Sequence, residues 1–233
     1  MSQTVTIERR FNGPSGSGNG GYTCGLLARE LDGEAEVTLL LPPPLDRPLA
    51  VVREAERICL LDGGQLVAEG RPGRVDLDPP ASPSFDEAVE AGARYPGFAS
   101  HAFPTCFVCG PDRPDGLRIF AGRLEGRAAV AAPWIPDESL ADGGGHVPEE
   151  LVWAALDCPG AFAMGFPERG EAVLGRMTAR IDACPRVGGR HVVLAWPLGE
   201  DGRKLHAGTA LFTELGELLG LARQTWIAPR ASG

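Results

Sequence analysis

The chain has 233 residues, of which 43% are hydrophobic and 23% are charged, and its formal net charge is -9. This composition is typical of a globular protein with one large domain or two small ones. The excess of acidic residues argues against nucleic acid and anionic membrane surfaces as partners, because both attract basic proteins. The net charge does not exclude binding of a small anionic ligand, since a local group of arginines is enough to bind one.

The amino-terminal segment and the cysteines predict a cytoplasmic protein with reduced thiols. Residues 1–6 contain no basic stretch followed by an apolar one, so we expect no signal peptide. The sequence has no run of about 20 apolar residues, which argues against a membrane-spanning helix. The 6 cysteines are too few for a dense disulfide framework in a chain of this length.

The first half of the chain predicts one helix followed by antiparallel strands. A weakly alternating segment over 4–11 is a candidate strand, and the Gly/Ser-rich segment 12–21 is typical of a loop. The helix is expected over 20–31, because Asp32 and Gly33 are typical of helix ends. Short apolar segments separated by turn residues follow and predict strands at 36–41, 49–53, 57–61 and 65–69.

The middle of the chain is rich in proline and predicts a linker over 72–104. Inside it, Ser84 and Glu87 have the spacing of a capping box, which predicts a short helix over 84–95. The linker divides the chain into an amino-terminal unit, 1–71, and a carboxyl-terminal unit, 105–233.

The second half repeats the order of the first, with a helix followed by a run of strands. Pro148 suits a first helical turn, and the apolar run after it predicts a helix to about residue 164. A helix followed by antiparallel strands must bury its apolar face against that sheet. The sequence therefore predicts an α+β protein whose two sheets pair edge to edge. The expected strands are 117–124, 127–133, 173–183, 191–197, 204–215 and 218–227, the start of the last being open to a helical alternative.

Two features in different halves of the chain are candidates for one active site. The step Asn19-Gly20-Gly21-Tyr22 begins the first predicted helix, where glycines let a ligand approach unpaired N–H groups without meeting a Cβ. Asp157 is a lone acid inside an apolar helical run. Taken singly, the glycines are explained by a loop-to-helix joint and the acid by a surface position. If the chain contains an internal repeat, its pseudo-symmetry would place the glycine step and Asp157 next to each other.

The segment Cys106-Phe107-Val108-Cys109-Gly110, with Gly116-Leu117 after it, resembles the opening of hotdog-fold acyl-CoA thioesterases of the phenylacetate-pathway type. In that family a His-Gly-Gly step begins the central helix, and an acid follows later in the same helix. The first half of this chain keeps the glycines, with Asn19 in place of the histidine and Ala28 at the acid position. The second half keeps the acid, Asp157, while Glu149 and Glu150 occupy the glycine positions.

This division resembles the double-hotdog acyl-CoA thioesterases, such as acyl-CoA thioesterase II. The resemblance implies two tandem hotdog repeats, each an antiparallel sheet wrapped around a central helix. It also implies a homodimer that hydrolyses acyl-CoA thioesters without a cofactor. Thr178 lies where the second repeat of that family carries a threonine, on the strand after the helix. The glutamine that the family carries on a later strand has no counterpart that the sequence pattern identifies.

These positions predict a mechanism. Asp157 is expected to act as general base or nucleophile. The N–H groups of Gly21 and Tyr22 are expected to stabilise the oxyanion, and one such donor contributes about 3 kcal/mol in the transition state. Thr178 completes the predicted catalytic group. The residues expected to contact substrate are Asn19, Gly20, Trp153 and His146.

Two other functions remain open. A non-catalytic module that binds acyl-CoA or another small ligand is favoured by Asn19 in place of histidine and by the missing glutamine. A hydratase of the same fold ranks last, because such enzymes need a histidine where this chain has Phe162.

The cysteine pattern suggests a metal site only weakly. Cys106 and Cys109 have the spacing of a zinc knuckle, but the sequence contains no second Cys-x-x-Cys pair. Cys158 and Cys184 are isolated, and each precedes a proline. We therefore interpret the Cys106–Cys109 segment as a Gly/Pro-rich turn and predict no metal ion.

Overall fold

The computed structural model describes residues 3–228, which form one antiparallel sheet of 11 strands. The strand order is β1-β3-β4-β5-β2-β8-β11-β10-β9-β7-β6. The strands are β1 (Gln3–Thr6), β2 (Ala35–Leu39), β3 (Pro48–Arg53), β4 (Ile58–Asp62), β5 (Gln65–Pro72), β6 (Gly122–Arg123), β7 (Val130–Trp134), β8 (Val173–Ile181), β9 (His191–Asp201), β10 (Lys204–Thr213) and β11 (Leu218–Ile227).

The two halves of the chain meet at β2 and β8, which pair antiparallel from Ala35 opposite Ala179 to Thr38 opposite Arg176. Strands β1 to β5 lie on one side of this junction and β6, β7 and β9 to β11 on the other. The predicted edge-to-edge pairing is therefore observed. It gives an unpaired edge of each half a partner, which removes two exposed edges.

The helices are α1 (Gly20–Ala28), α2 (Phe85–Ala93), α3 (Glu149–Asp157) and α4 (Pro159–Ala163). Helices α1 and α3 pack against each other, and both contact β8. Residues 21–28 of α1 and 151–157 of α3 are buried throughout, which explains their nearly uninterrupted apolar sequence. This helix pair is the centre of the larger apolar core.

Helix α2, inside the predicted linker, covers the opposite face of the sheet. Its capping box forms as expected, with the Glu87 N–H donating to Ser84 Oγ at 3.2 Å and the Ser84 N–H donating to a Glu87 carboxylate oxygen at 2.7 Å. Val192 and Leu194 of β9 share a core cluster with α2, while Val193 and Ala195 belong to the cluster of α1 and α3. Alternate residues of β9 thus pack into the two cores on opposite faces of the sheet.

Three sequence expectations differ from the observed elements. The run 148–164 is two helices rather than one, because Pro159 has no N–H to continue α3. The predicted strand 117–124 pairs only at Gly122–Arg123. The segment 218–227 is a strand throughout, so its helical alternative is wrong.

Within residues 3–228, no helix is both long enough and apolar enough to span a membrane.

Helices α1 and α3 can approach closely because Gly25 has no side chain. A Cβ there would lie 2.6 Å from Glu150 Cα and 3.0 Å from Trp153 Cβ. We predict that Gly25→Ala lowers the free energy of unfolding by about 1–2 kcal/mol in urea titration. Overpacking costs about 1–3 kcal/mol, which exceeds the gain of about 1 kcal/mol in helix propensity. Gly143→Ala, in open space, is the control, and a Gly25→Ala protein as stable as wild type would contradict this prediction.

Candidate functional site

Asn19 connects the start of α1 to the end of α3. As the N-cap residue of α1, it accepts a hydrogen bond from the Tyr22 N–H at its Oδ1, at 2.9 Å. This bond satisfies one of the first-turn donors that have no acceptor inside the helix. The other end of the same side chain, Nδ2, donates to Asp157 Oδ2 at 2.9 Å. One buried amide therefore both begins a helix and binds the candidate catalytic acid.

The Asp157 carboxylate lies against the first turn of α1, as the internal repeat predicted. Its Oδ2 also accepts a hydrogen bond from the Gly21 N–H at 2.9 Å. A Cβ on residue 21 would lie 2.5 Å from Asp157 Cβ and 2.6 Å from the Trp153 carbonyl oxygen, so only glycine fits there. Asp157 is 2% exposed, and its Oδ1 has no hydrogen-bond partner in the described part of the chain.

Burial and hydrogen bonding act in opposite directions on this acid. The pKa of Asp157 is raised to about 7, first by removal from water and also by the charge of Cys106, while the hydrogen bonds from the Gly21 N–H and the Asn19 amide limit the rise. The competition between desolvation and a helix amino terminus is the one expected from the sequence.

The first turn of α1 has three N–H groups without intrahelical acceptors, at Gly20, Gly21 and Tyr22. The Gly21 group donates to Asp157 and the Tyr22 group to Asn19. The two amides predicted as the oxyanion site are therefore already occupied. The Gly20 N–H donates to no acceptor within residues 3–228, and Gly20 lines a cavity. Gly20 is thus the donor that is open to a ligand.

The cavity has a volume of about 500 Å³, within the range of small-molecule sites. Asn19, Gly20 and Asp157 form one part of its wall. The remaining wall is mostly apolar and includes Leu39, Phe103, Phe162, Phe166, Leu174 and Trp226. The arrangement can hold an apolar chain with its polar end beside the carboxylate and the free N–H.

Three buried cysteines also line this cavity. The Sγ atoms of Cys106, Cys109 and Cys158 all lie within 4.8 Å of one another. The sequence interpretation of Cys158 as isolated is therefore wrong, because the fold packs the 106–110 turn against the end of α3. Hydrogen bonds from the Cys109 and Cys158 thiols hold the pKa of Cys106 well below its usual range.

Thr178 does not lie beside Asp157. Its hydroxyl is 3.3 Å from a Glu36 carboxylate oxygen on the neighbouring strand β2. The adjacent residue Met177 is fully buried in the core that contains α1 and α3. Because alternate residues of a strand point to opposite faces, Thr178 faces away from these helices. We therefore leave Thr178 out of the candidate site.

Three further predicted residues also lie away from the cavity wall. Trp153 is 1% exposed, in the core between the helices. The Tyr22 ring stacks on Phe11, with ring centroids 4.1 Å apart. His146 belongs to a loop in which its N–H donates to Asp142, and it forms a β-bridge with Arg186. None of the three side chains lines the cavity described above.

The sequence interpretation missed Gln224, which is fully buried on β11. Its Nε2 donates to the main-chain oxygens of Leu156 and Asp157, the latter at 3.0 Å. Its Oε1 accepts from Trp226 Nε1 at 2.8 Å. These bonds satisfy two carbonyls in the last turn of α3, where intrahelical donors run out. The available signal was a polar residue at an inward position of β11, which an ambiguous helix or strand assignment concealed.

Comparison with known proteins identifies the fold. No family model matches the sequence, and no curated protein matches it. Among solved structures, a TesB protein of Mycobacterium avium subspecies paratuberculosis is 15% identical, with a TM-score of 0.61 over 97% of this chain and 92% of that one. The acyl-CoA thioesterase II TesB2 of Mycobacterium marinum is 11% identical, with a TM-score of 0.62 over 99% and 93% of the two chains. The hotdog fold implied by the sequence resemblance is confirmed.

The two roles of Asn19 can be separated by measurement. We predict that Asn19→Ala lowers the free energy of unfolding by about 2–4 kcal/mol, since it removes an N-cap and a hydrogen bond to a buried carboxylate. Ser84→Ala is the matched control. It removes only the exposed N-cap of α2 and is expected to cost about 1 kcal/mol. Equal losses in urea titration would show that the bond to Asp157 contributes nothing.

Proposed function

We propose that this protein hydrolyses the thioester of an acyl-CoA in the cavity where Asp157 meets the first turn of α1. One observation carries the proposal: Asp157 and Gly20 line the same apolar cavity, and within residues 3–228 neither the Asp157 Oδ1 nor the Gly20 N–H has a hydrogen-bond partner. Thioester hydrolysis needs a proton acceptor or nucleophile and a donor for the developing oxyanion. The fold shared with thioesterase structures agrees with this chemistry.

In the proposed reaction, the thioester carbonyl oxygen accepts a hydrogen bond from the Gly20 N–H. The dipole of α1 adds partial positive charge at the same point. Asp157 Oδ1 removes a proton from a water molecule, whose oxygen bonds to the acyl carbon, or the carboxylate attacks that carbon itself. The carbon–sulfur bond then breaks, and the thiolate of coenzyme A takes up a proton. If the carboxylate attacked, water then hydrolyses the acyl–Asp157 anhydride and restores the carboxylate. In both cases the products are the free acid and the thiol, and no cofactor takes part.

Two buried amides orient the carboxylate in this scheme. Asn19 binds Oδ2, which leaves Oδ1 without a protein partner within residues 3–228. Gln224 binds the main chain at Asp157, and its amide is hydrogen-bonded at both ends. Gln224 is also the natural candidate for the glutamine that the resemblance implies on a later strand. Because its side chain does not line the cavity, we assign it a positioning role.

The finer parts of the sequence prediction belong to the same proposal. They are two tandem hotdog repeats over 1–71 and 105–233 joined by 72–104, a cytoplasmic location and a homodimer. The apolar cavity wall suits the acyl chain of the substrate.

A non-catalytic acyl-CoA binding protein is the second candidate. One observation favours it: the Gly21 and Tyr22 amides, which the sequence assigned to the oxyanion, are occupied by protein acceptors. This candidate predicts saturable binding of acyl-CoA without turnover.

The hydrolase proposal predicts that Asp157→Asn lowers kcat/KM about 10²–10⁴-fold on the best substrate of an acyl-CoA panel, the usual contribution of acid–base catalysis. An asparagine Oδ1 can still accept the Gly21 N–H, so the variant should fold. Asp78→Asn, at an exposed carboxylate, is the control and should retain activity. Unchanged kcat/KM in Asp157→Asn would contradict the proposal, and binding without turnover by the wild type would favour the second candidate.

Thr178 gives an independent test. Its hydroxyl contacts Glu36 on the face of the sheet away from α1 and α3, so we predict that Thr178→Val changes kcat/KM less than about 3-fold, or less than about 0.7 kcal/mol of transition-state stabilisation. A loss comparable to that of Asp157→Asn would restore Thr178 to the catalytic group.

A further inference from the structure

We propose that Cys106, Cys109 and Cys158 bind a Zn²⁺ ion next to the candidate active site. Their three Sγ atoms converge within 4.8 Å, although Cys158 comes from a different part of the chain. Cys106 Sγ and Cys158 Sγ are 3.7 Å apart. A tetrahedron with zinc–sulfur bonds of about 2.3 Å has edges of about 3.8 Å. The sulfur spacing therefore suits a shared metal ion.

The 106–110 turn has the backbone geometry that a metal chelate needs. The Gly110 N–H donates to the Cys106 carbonyl at 2.9 Å, which closes the turn. A Cβ on Gly110 would lie 2.5 Å from both the Cys106 nitrogen and the Pro104 carbonyl oxygen, so the turn is too tight for another residue. The turn thus presents two sulfurs on one side.

The surroundings of the sulfurs suit bound thiolates. Zn²⁺ with three thiolates carries a net charge of -1, which a buried site must stabilise with hydrogen-bond donors. The Asn19 amide, whose Nδ2 lies 3.9 Å from Cys158 Sγ, is such a donor. Soft thiolate ligands select Zn²⁺ or Cu⁺ over the hard cations. As Zn²⁺ binds, the protons that remain on the thiols leave to solvent, and no oxidant or reductant is required.

All three cysteines line the cavity, so a ligand in the fourth coordination position would have to come from the cavity or from a neighbouring side chain. His101 does not fill that position: its Nδ1 accepts from the Phe103 N–H at 2.9 Å, which leaves the proton of the neutral ring on Nε2. Water or a ligand in the cavity would complete the tetrahedron. The ion would tie the 106–110 turn to the residue that follows Asp157, and we assign it this positioning role.

Metal content gives the direct test. Protein produced with added zinc and purified without chelators should contain stoichiometric zinc by mass spectrometry of the metal. Loss of an outer-shell partner already weakens metal binding about 10–100-fold, so Cys158→Ser should weaken zinc binding more than about 100-fold in competition with a chelator. Cys184→Ser, the other cysteine before a proline, is the matched control and should retain zinc. Zinc at wild-type affinity in Cys158→Ser would overturn the proposal.

Cobalt provides a test that needs no variant. Reduced, metal-free wild type titrated with Co²⁺ should show the visible bands of tetrahedral cobalt and thiolate-to-cobalt charge transfer in the near ultraviolet. A wild type that lacks zinc and gives no such spectrum would overturn the proposal, as would a Cys106–Cys158 disulfide in the freshly purified protein. Neither readout depends on thioester turnover, so this proposal and the hydrolase proposal can fail separately.

Discussion

The burial of the Asp157 carboxylate against the first turn of α1 is the interaction on which the rest of the structure depends. A buried charge costs several kcal/mol unless donors compensate it, and here the donors are the Gly21 N–H and the Asn19 amide. That requirement forces α1 and α3 so close together that positions 21 and 25 have no room for a side chain. It also leaves one carboxylate oxygen and one helix N–H free for a ligand. The packing of the helix pair and the chemistry of the site therefore have the same origin.

The two halves of the chain contribute unlike parts of this contact. The first half supplies the helix start and its cap, and the second supplies the acid. The pairing of β2 with β8 makes one continuous sheet, on which the two helices lie side by side. At the end of α3, Pro159 stops the helix, and Gln224 donates to the carbonyls of Leu156 and Asp157 in its last turn. Asp157 is thus held from both sides, and Cys158, next to it, joins the cysteines of the 106–110 turn.

Much of the fold and the central contact could be predicted from the sequence, because they depend on patterns of apolar, glycine and turn residues that can be read along the chain. The order of helices and strands follows from apolar runs and turn residues, and the hypothesis of an internal repeat predicted the contact between the glycine step and Asp157. The predictions that were wrong depended on strand register and on competition between hydrogen-bond acceptors, neither of which the sequence shows. A one-residue shift reverses the face of a strand, so Thr178 could not be assigned a side before β8 had a partner. The competing acceptors at Gly21 and Tyr22, and the approach of Cys158 to Cys106, exist only once distant segments have packed.

A double-mutant cycle in urea unfolding tests the central claim most directly. The cycle compares wild type, Asn19→Ala, Asp157→Asn and the double variant. If the carboxylate and the cap stabilise each other, the two losses should couple by about 1–3 kcal/mol, as expected for residues in one buried hydrogen-bond network. Losses that add to within about 0.5 kcal/mol would show that the two residues act independently and would contradict the account.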